Sequence, residues 1–249
     1  MLNKPCASSK ATVGVLGGMG PAAAVNFFNE LVKRTTATRD QEHLKILILN
    51  DPTIPDRTAF LLGDGESPIP QLVAGVKSLE EQGADMIAIP CNTAHCFLDK
   101  LQKTVQVPIL DIVQETIKSL KKVGSDNEKV GLLSTAATAG LDLYGSALTK
   151  EGFSLLLPDE THQQKINEAI RLIKSSDDLD SGRKLQEETL QHLRNQGVGS
   201  VILGCTELGL VEVESPVPLI DSLKALAEST VKLATHWPVQ DNEKENKSS

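Results

Sequence analysis

The chain has 249 residues, of which 40% are hydrophobic and 23% are charged, so it has the composition of a globular protein with one large or two small domains. Its 33 acidic residues outnumber its 25 Lys and Arg residues, and the net charge of −8 disfavours a nucleic-acid partner. Four cysteines are too few for a disulfide scaffold, and no apolar run reaches the length of a membrane span, about 18 residues. We therefore expect a cytoplasmic protein with reduced thiols.

The first half of the sequence alternates short apolar runs with stretches of helical periodicity. Strands are predicted at residues 12–16, 46–49, 85–89 and 107–110, and helices at residues 21–36, at residues 69–82 and from the fourth strand to about residue 123. Residues 50–68 are rich in Pro, Asp and Gly and predict a long loop. The glycines before Pro21 favour a strand, a turn and a helix over a signal peptide, because Pro suits the first helical position.

The second half shows the same alternation after a predicted turn at residues 125–128. Strands are predicted at residues 130–133, 153–157 and 200–203, and helices at residues 137–151, 161–175 and 179–196. Continuous apolar strands separated by helices are typical of parallel sheets that are covered on both faces. Residues 1–11 and 238–249 are predicted to be disordered tails.

Three short segments of the first half recur, in the same order, in the second half. Residues 87–93 resemble 201–207, residues 107–111 resemble 217–221, and residues 13–16 resemble 130–133, at separations of 110 to 117 residues. Unless this is a coincidence among short apolar motifs, the halves are duplicated. We therefore predict an α/β fold of two similar parallel-sheet lobes related by pseudo-twofold symmetry, with the active site in the cleft between them. The predicted lobes are residues 12–113 with 219–236, and residues 114–218.

Two cysteines occupy equivalent positions in this repeat. Cys91 and Cys205 each follow a predicted buried strand and precede helix-forming sequence, where parallel sheets build their sites. A thiol there lies near the positive end of a helix, which favours the thiolate. Two thiols that face each other across a cleft can invert a stereocentre, since one thiolate removes a proton from carbon while the other thiol returns one. The alternative is a small apolar core residue, which we prefer for Cys96, and Cys6 has no comparable context.

Five motifs are spaced along residues 12–236. They are Gly17-Gly18-Met19-Gly20-Pro21, Pro55-Asp56-Arg57-Thr58, Pro90-Cys91-Asn92-Thr93-Ala94-His95, Gly204-Cys205-Thr206-Glu207-Leu208 and Val217-Pro218-Leu219-Ile220-Asp221. With these five motifs in combination, the chain resembles the aspartate/glutamate racemase superfamily. At Thr206-Glu207 it is similar to the aspartate racemases of that superfamily. The resemblance implies a homodimeric racemase that acts on aspartate with no pyridoxal phosphate, other cofactor or metal. A broader racemase that also accepts glutamate is the alternative.

The resemblance also implies a role for the residues around each cysteine. Cys91 and Cys205 are the expected acid/base pair. Asn92, Thr93 and Thr206 are expected to donate hydrogen bonds to the α-carboxylate of the substrate. Such donors are needed because negative charge builds there as the Cα proton leaves.

Further substrate-binding residues are implied outside the two cysteine motifs. Arg57 is expected to bind the side-chain carboxylate as a bidentate fork, beside Thr58, although a surface Arg in a loop is the simpler alternative. Lys165 matches a substrate-binding lysine of the superfamily. The alternative interpretation is that it lies on a solvated helix face and does not contact the substrate. Met19 is expected to form the floor of the site with the neighbouring glycines.

Two residues are expected to support the cysteines. His95 orients Cys91 or Asn92, or else it only satisfies polar groups at a helix end. Glu207 sets the charge of Cys205, or else it accepts a hydrogen bond from the ammonium group of the substrate.

The glycine motif has a rival interpretation, because Gly18-Met19-Gly20-Pro21-Ala22-Ala23 fits the G-x-G-x-x-A fingerprint of an NAD-binding oxidoreductase. Pro21 stiffens the turn that pyrophosphate must approach. Asp51 lies 31 residues after Gly20, whereas the ribose-binding acid lies about 20 residues on. A dinucleotide site also leaves the paired cysteines unexplained. Closer alternatives are sister reactions on the same fold, such as maleate isomerisation or malonate decarboxylation.

Overall fold

The structure of the protein is a computed structural model that describes residues 10–123 and 129–238. Cys6, the predicted turn at residues 125–128 and nearly all of the two predicted tails lie outside these residues. Ala11, at the inner end of the N-terminal prediction, is buried, and its backbone N–H donates to the carbonyl of Ala234. Within the described ranges no helix is long and apolar enough to cross a membrane.

The described residues form seven strands and ten α-helices. The strands are β1 (Val13–Gly17), β2 (Ile46–Asn50), β3 (Met86–Ala88), β4 (Lys129–Leu133), β5 (Ser154–Leu156), β6 (Ser200–Leu203) and β7 (Leu219–Asp221). The helices are α1 (Pro21–Arg34), α2 (Arg57–Leu62), α3 (Ile69–Glu81), α4 (Leu98–Gln102), α5 (Ile112–Val123), α6 (Ala136–Gly140), α7 (Gly145–Lys150), α8 (Glu160–Ser175), α9 (Leu179–Asn195) and α10 (Ser222–Thr235).

The strands form two parallel sheets with matching topology. The first sheet has the order β2-β1-β3, and the predicted strand at residues 107–110 adds only an isolated bridge between Ile87 and Ile109. The second sheet has the order β5-β4-β6-β7. Each half therefore places its first strand between its second and its third. The predicted α/β fold of two similar parallel-sheet lobes is confirmed.

Alternation along the central strands of both sheets divides the hydrophobic core into three parts. Val15 of β1 and Leu132 of β4 lie in one core that both sheets share. Leu16 and Leu133, one residue further along each strand, point to the opposite faces and into separate cores under α3 and under α8 and α9. Because side chains of a strand alternate between faces, this pattern explains why both strands are apolar throughout.

Helices α5 and α10 each follow the last strand position of one half, and each packs against elements of the other half. Helix α5 packs against α10, α7 and β7, whereas α10 packs against α1 and α5. The predicted boundaries place residues 219–236 with the first lobe. The structure differs for β7, because this strand is hydrogen-bonded to β6 in the second sheet and only α10 lies against α1.

Two predicted elements have different forms in the structure. The predicted loop at residues 50–68 contains α2, whose N-terminus is capped by Asp56, which accepts from the N–H of Ala59. The predicted helix at residues 137–151 is divided into α6 and α7, because Asp142 adopts a left-handed conformation (φ of 54°) and its carboxylate accepts from the N–H of Ser146. Both differences come from Asp side chains that bond to nearby backbone groups and so end or begin a helix.

Candidate active site

The two equivalent cysteines line one polar cavity at the carboxyl ends of the sheets. Cys91 lies just after β3 and Cys205 just after β6, and each residue is only 6% exposed. The free space in the cavity is about 20 Å³, room for about one water molecule, so the side chains of the two lobes lie close together around the thiols. It is lined by residues of both lobes, namely Met19, Asp56, Arg57, Thr58, Cys91, Asn92, Thr93, Thr135, Lys174, Gly204, Cys205, Thr206 and Glu207.

Cys205 is hydrogen-bonded to Glu207. The thiol donates to Oε2 of Glu207 over 3.0 Å. Burial, and then the adjacent negative charge of Glu207, raise the pKa of Cys205 well above its ordinary value, while the nearby ammonium group of Lys174 acts in the opposite direction. Cys205 is therefore held as a thiol that can give up a proton, and Glu207 lies where it can accept the proton from sulfur.

The carboxylate of Glu207 also connects the two lobes. Its Oε1 atom accepts from the backbone N–H of Gly20, at 3.1 Å, and lies 3.7 Å from Nζ of Lys174. The hydroxyl of Thr206 lies 3.3 Å from Oε2 of the same carboxylate. The thiol of Cys205, the N–H of Gly20 and the ammonium group of Lys174 surround this buried carboxylate, the position that the expected role of setting the charge of Cys205 requires.

The glycine turn after β1 lies beside this carboxylate. Gly18 has a φ of 97°, and a Cβ atom there would lie 2.3 Å from the backbone carbonyl of Asp51, so only glycine fits. Met19 is buried and lines the cavity, as expected from the sequence. The N–H of Gly20, at the start of α1, is bound by Glu207, which leaves this helix end less suited to a pyrophosphate group.

Asn92, next to Cys91, is held by side chains of the second half. The hydroxyl of Tyr144 donates to Oδ1 of Asn92 at 2.5 Å, and Nδ2 of Asn92 donates to the hydroxyl of Ser222 at 2.9 Å. Ser222 in turn donates to the carbonyl of Leu203, at the end of β6. Tyr144 is fully buried, and this burial raises the pKa of its hydroxyl far above the ordinary value. The amide is thereby fixed, with one N–H left for a bound molecule.

The two threonines of the cysteine motifs have different partners. The hydroxyl of Thr93 lies 3.0 Å from that of Thr138 and 3.3 Å from that of Thr135, which caps α6. Thr206 donates to the carbonyl of Pro90 at 3.2 Å, so it joins the two cysteine motifs directly. Both threonines are buried and line the cavity, which is the location that the expected hydrogen bonds to the substrate require.

Arg57 lies at the first position of α2 and is only 7% exposed. Its guanidinium donates to three backbone carbonyls: Nη1 to Ile54 and Pro55, and Nη2 to Met19. Its Nε–H is buried and, among the described residues, has no hydrogen-bond partner. Thr58 follows it and also lines the cavity. A buried cation with an unpaired donor at the edge of a cavity is suited to an anionic group.

The lysine of the cavity is Lys174, whereas the sequence predicts Lys165. Both lie on α8, but nine residues amount to two and a half helical turns, so the two side chains project from opposite sides. Nζ of Lys165 pairs with Glu188 of α9 at 2.7 Å, and the prediction for Lys165 is wrong in position. Burial opposes the charge of Lys174, but Glu207 and the two cysteines favour it, and the net effect is a raised pKa.

His95 lies behind Cys91. Its Nδ1 atom is 2.9 Å from the carbonyl of Cys91, and its Nε2 atom is 3.2 Å from the carbonyl of Leu110. Burial lowers the pKa of His95, which keeps the ring neutral, so only one of the two contacts carries a proton. The ring contacts the backbone of Cys91 and not its thiol, which makes His95 a residue that positions the loop.

Several residues of the site were not predicted from the sequence. Tyr144, Thr135 and Ser222 come from other elements of the second half and have no motif of their own. Lys174 lies one residue after the buried Ile173 at the end of α8, and the period of the helix does not by itself direct its side chain to the cavity. Asp56 was part of a recognised motif, but its capping role required the presence of α2.

Fold and site together define a class of two-lobed α/β proteins that have paired thiols in the cavity between their lobes. The chain belongs to the Asp/Glu/Hydantoin racemase family, whose profile matches residues 16–230. The match includes both cysteine motifs and most of the core that the two sheets share.

Individual relatives agree with this assignment. The chain is 32% identical to the broad-specificity amino-acid racemase RacX of Bacillus subtilis over 88% of this chain and 96% of the relative. It is similar in structure to Picrophilus torridus aspartate racemase, with a TM-score of 0.81 and 35% identity over 90% of this chain and 94% of the other. The glutamate racemase isoform RacE1 of Bacillus anthracis, at 18% identity and a TM-score of 0.64, shares the fold over 92% of this chain and 83% of its own.

Proposed function

We propose that the protein interconverts L- and D-aspartate by two-base proton transfer at Cα, without pyridoxal phosphate. The observation that carries the proposal is the pair of thiols, Cys91 and Cys205, at equivalent strand ends on one small cavity. A flat carbanion formed in such a cavity is accessible to a proton donor on each face. Sister reactions on the same fold are the alternative, and they do not require a proton donor on both faces.

In the proposed reaction one thiolate removes the Cα proton and becomes a thiol, and the opposite thiol gives its proton to the other face of the carbanion. The α-carboxylate carries the developing negative charge. The remaining N–H of Asn92 and the hydroxyl of Thr93 or Thr206 donate to it in the transition state. Glu207 takes up the proton of Cys205 when that residue acts as the base.

Two cations support a substrate with a second carboxylate. Arg57 lines the cavity and its buried Nε–H has no partner among the described residues, and Lys174 lies at the same cavity with a raised pKa, so its ammonium group is charged at neutral pH. The global charge of the protein is negative, so an acidic substrate needs local cations of this kind. The similarity to an aspartate racemase agrees with this substrate, and the similarity to a broad-specificity racemase keeps glutamate and neutral amino acids as competitors.

The test is a chiral separation of products after wild-type protein, free of added cofactor and metal, is incubated with a panel of L-amino acids. We expect D-aspartate to form with the highest kcat/KM. Fastest turnover of glutamate or of a neutral amino acid would retain the racemase and remove aspartate as its substrate. Absence of any inverted product, with maleate or malonate consumed instead, would favour a sister reaction.

We further propose that the protein is a cytoplasmic homodimer. The dimer is supported by an apolar stripe on α1, where three residues at helical spacing are exposed: Val25 (70%), Phe28 (41%) and Val32 (38%). Light scattering on the purified chain at several concentrations tests this directly, and a monomeric mass throughout the series would contradict it.

A further inference from the structure

Three potential metal ligands lie together where the start of α8 meets the end of α9. Asp159 precedes α8 and caps it, His162 lies in the first turn of α8, and His192 lies in the last turn of α9. One ligand atom from each of these residues can be chosen so that all three lie within 4.8 Å of one another. His162 and Lys174 are separated by twelve residues, or about 18 Å along the helix, and none of the three potential ligands lines the cavity, so this cluster is separate from the proposed active site.

The geometry of the cluster brings nitrogen and oxygen atoms to one point. Nδ1 of His162 is 2.7 Å from one carboxylate oxygen of Asp159, and Nε2 of His192 is 3.4 Å from the other. The imidazole rings are stacked, with centroids 3.7 Å apart and planes inclined by 17°. Ligands around a tetrahedral zinc ion are about 3.3 Å apart, so the three side chains have to rotate, and the two stacked rings have to separate, to bind one ion.

The surroundings of the cluster favour binding of a cation. The backbone N–H of His162 donates to Asp159, which fixes the carboxylate. The amide nitrogen of Gln196 lies 3.0 Å from Nε2 of His192, in a position to donate to its lone pair, so an ion that binds this nitrogen takes the place of Gln196. Each imidazole side chain is about one-fifth exposed, so an ion can reach the cluster from solvent. Metal-binding side chains are typically oriented by hydrogen bonds such as the one that the backbone N–H of His162 donates to Asp159.

We propose that Asp159, His162 and His192 bind one divalent transition-metal ion, of the class of Zn²⁺, Ni²⁺ or Co²⁺, which joins the first turn of α8 to the last turn of α9. Imidazole nitrogens select these ions over Mg²⁺ and Ca²⁺, which prefer oxygen ligands. Three protein ligands leave a further position for water. The ion stabilises the packing of α8 on α9 and takes no part in proton transfer at the cysteines.

The test uses the wild-type chain, titrated with Co²⁺ while the visible absorption is recorded, and with Ni²⁺ in a calorimeter. We expect one ion to bind per chain, with nitrogen and oxygen ligation and without thiolate-to-cobalt charge-transfer absorption. His192→Ala is expected to weaken binding at least about 10-fold and to abolish the rise in melting temperature that Ni²⁺ causes. Asp159→Asn retains the helix cap and removes the charged ligand, so it tests the site even if His192→Ala does not fold.

The control variant is His236→Ala, which removes a histidine at the end of α10 whose Nδ1 atom lies 2.9 Å from the local carbonyl of Lys232. It should bind metal as the wild type does. Charge-transfer absorption from thiolate would show that the ion binds the cysteines and would overturn the proposal. Equal affinity of wild type, His192→Ala and Asp159→Asn, or no saturable binding at all, would overturn it as well. None of these outcomes depends on the racemase activity.

Discussion

The thiol of Cys205 donates a hydrogen bond to Glu207 over 3.0 Å, and no such bond from the thiol of Cys91 to a charged side chain is present among the described residues. The two cysteines occupy equivalent positions in the repeat, yet their electrostatic surroundings differ. The second residue after Cys91 is Thr93, whereas the second residue after Cys205 is Glu207. The duplicated halves are therefore chemically unequal at the two thiols.

The first prediction follows from this inequality and concerns Glu207→Gln. Burial and the charge of Glu207 raise the pKa of Cys205, so removing the charge lowers this pKa and increases the thiolate fraction at a given pH. The pH at which iodoacetamide modifies Cys205 should move downward, and each limb of the pH profile of kcat/KM that depends on Cys205 should move in the same direction. Mass spectrometry of the alkylated peptides distinguishes Cys205 from the other cysteines.

Glu212→Gln is the matched control, since this exposed carboxylate lies in the same connection outside the cavity. It should leave both profiles unchanged. An alkylation profile of Cys205 that is identical in Glu207→Gln and wild type would mean that Glu207 does not influence the thiol.

The second prediction compares Lys174→Gln with Lys165→Gln on the same helix. Lys174 lines the cavity, and a lost charge-assisted contact is worth about 1.5–3 kcal/mol, or roughly 10- to 150-fold in kcat/KM. Because Lys174 is about a third exposed, we expect the lower part of this range. Lys165 pairs with Glu188 on the surface, so Lys165→Gln should change kcat/KM by less than about 2-fold. The reverse order would restore the sequence-based assignment.

These two lysines illustrate how far the sequence predicts the site. The apolar strands, the repeat and the strand-end cysteines depend on local pattern, and all were visible in the sequence. Side chains that enter the cavity from other elements depend on how the lobes pack, which no local pattern contains. Tyr144 is an example, because it reaches Asn92 across 52 positions of the sequence. Lys165 and Lys174 are both lysines of one amphipathic helix, and only its rotation against the sheet selects between them.

The third prediction concerns Arg57→Lys and the choice of substrate. Lys cannot donate to three carbonyls and also present a donor toward the cavity, so aspartate should lose far more activity than alanine or serine. We expect the ratio of kcat/KM for aspartate to that for alanine to fall by roughly 10- to 150-fold. Arg183→Lys, at an exposed surface pair with Asp180, is the control. An unchanged ratio would assign specificity to another residue.

The fourth prediction uses Tyr144, which is the single tyrosine of the chain. Burial raises its pKa, so its tyrosinate absorption should appear at higher pH than that of free tyrosine, about 10. Because the unfolded chain releases this proton first, the free energy of unfolding should fall as the pH rises above about 10. Tyr144→Phe should lose less free energy of unfolding than the wild type over this alkaline range. The lysines titrate in the same range but are present in both proteins, so the difference between the two reports Tyr144.

At neutral pH the same variant leaves Oδ1 of Asn92 without its donor. An unpaired buried acceptor costs about 1–3 kcal/mol, so Tyr144→Phe should lower the free energy of unfolding by that amount and reduce kcat/KM. Urea unfolding and steady-state kinetics measure the two effects. Equal stability and activity in wild type and variant would remove Tyr144 from the positioning of Asn92.

The last prediction separates two bases from one. With two thiols, the proton taken from Cα stays on one sulfur, and a different proton, already exchanged with solvent, arrives from the other. In deuterated water, early D-aspartate formed from L-aspartate should be almost fully deuterated at Cα, while the remaining L-aspartate stays protiated. A single shared base would return part of the original proton to the product, and mass spectrometry after chiral separation distinguishes the two cases.

Cys91→Ser and Cys205→Ser should each nearly abolish racemisation, because a serine hydroxyl is far too weak an acid to act as a resting alkoxide base. Each variant nevertheless retains one reactive thiol. Elimination from an analogue with a good leaving group at Cβ needs only one base, so each variant should eliminate from one enantiomer, and the two variants should show opposite preferences. That result would assign each cysteine to one face of the substrate. The same preference in both variants, or racemisation by either at the wild-type rate, would exclude the two-thiol mechanism.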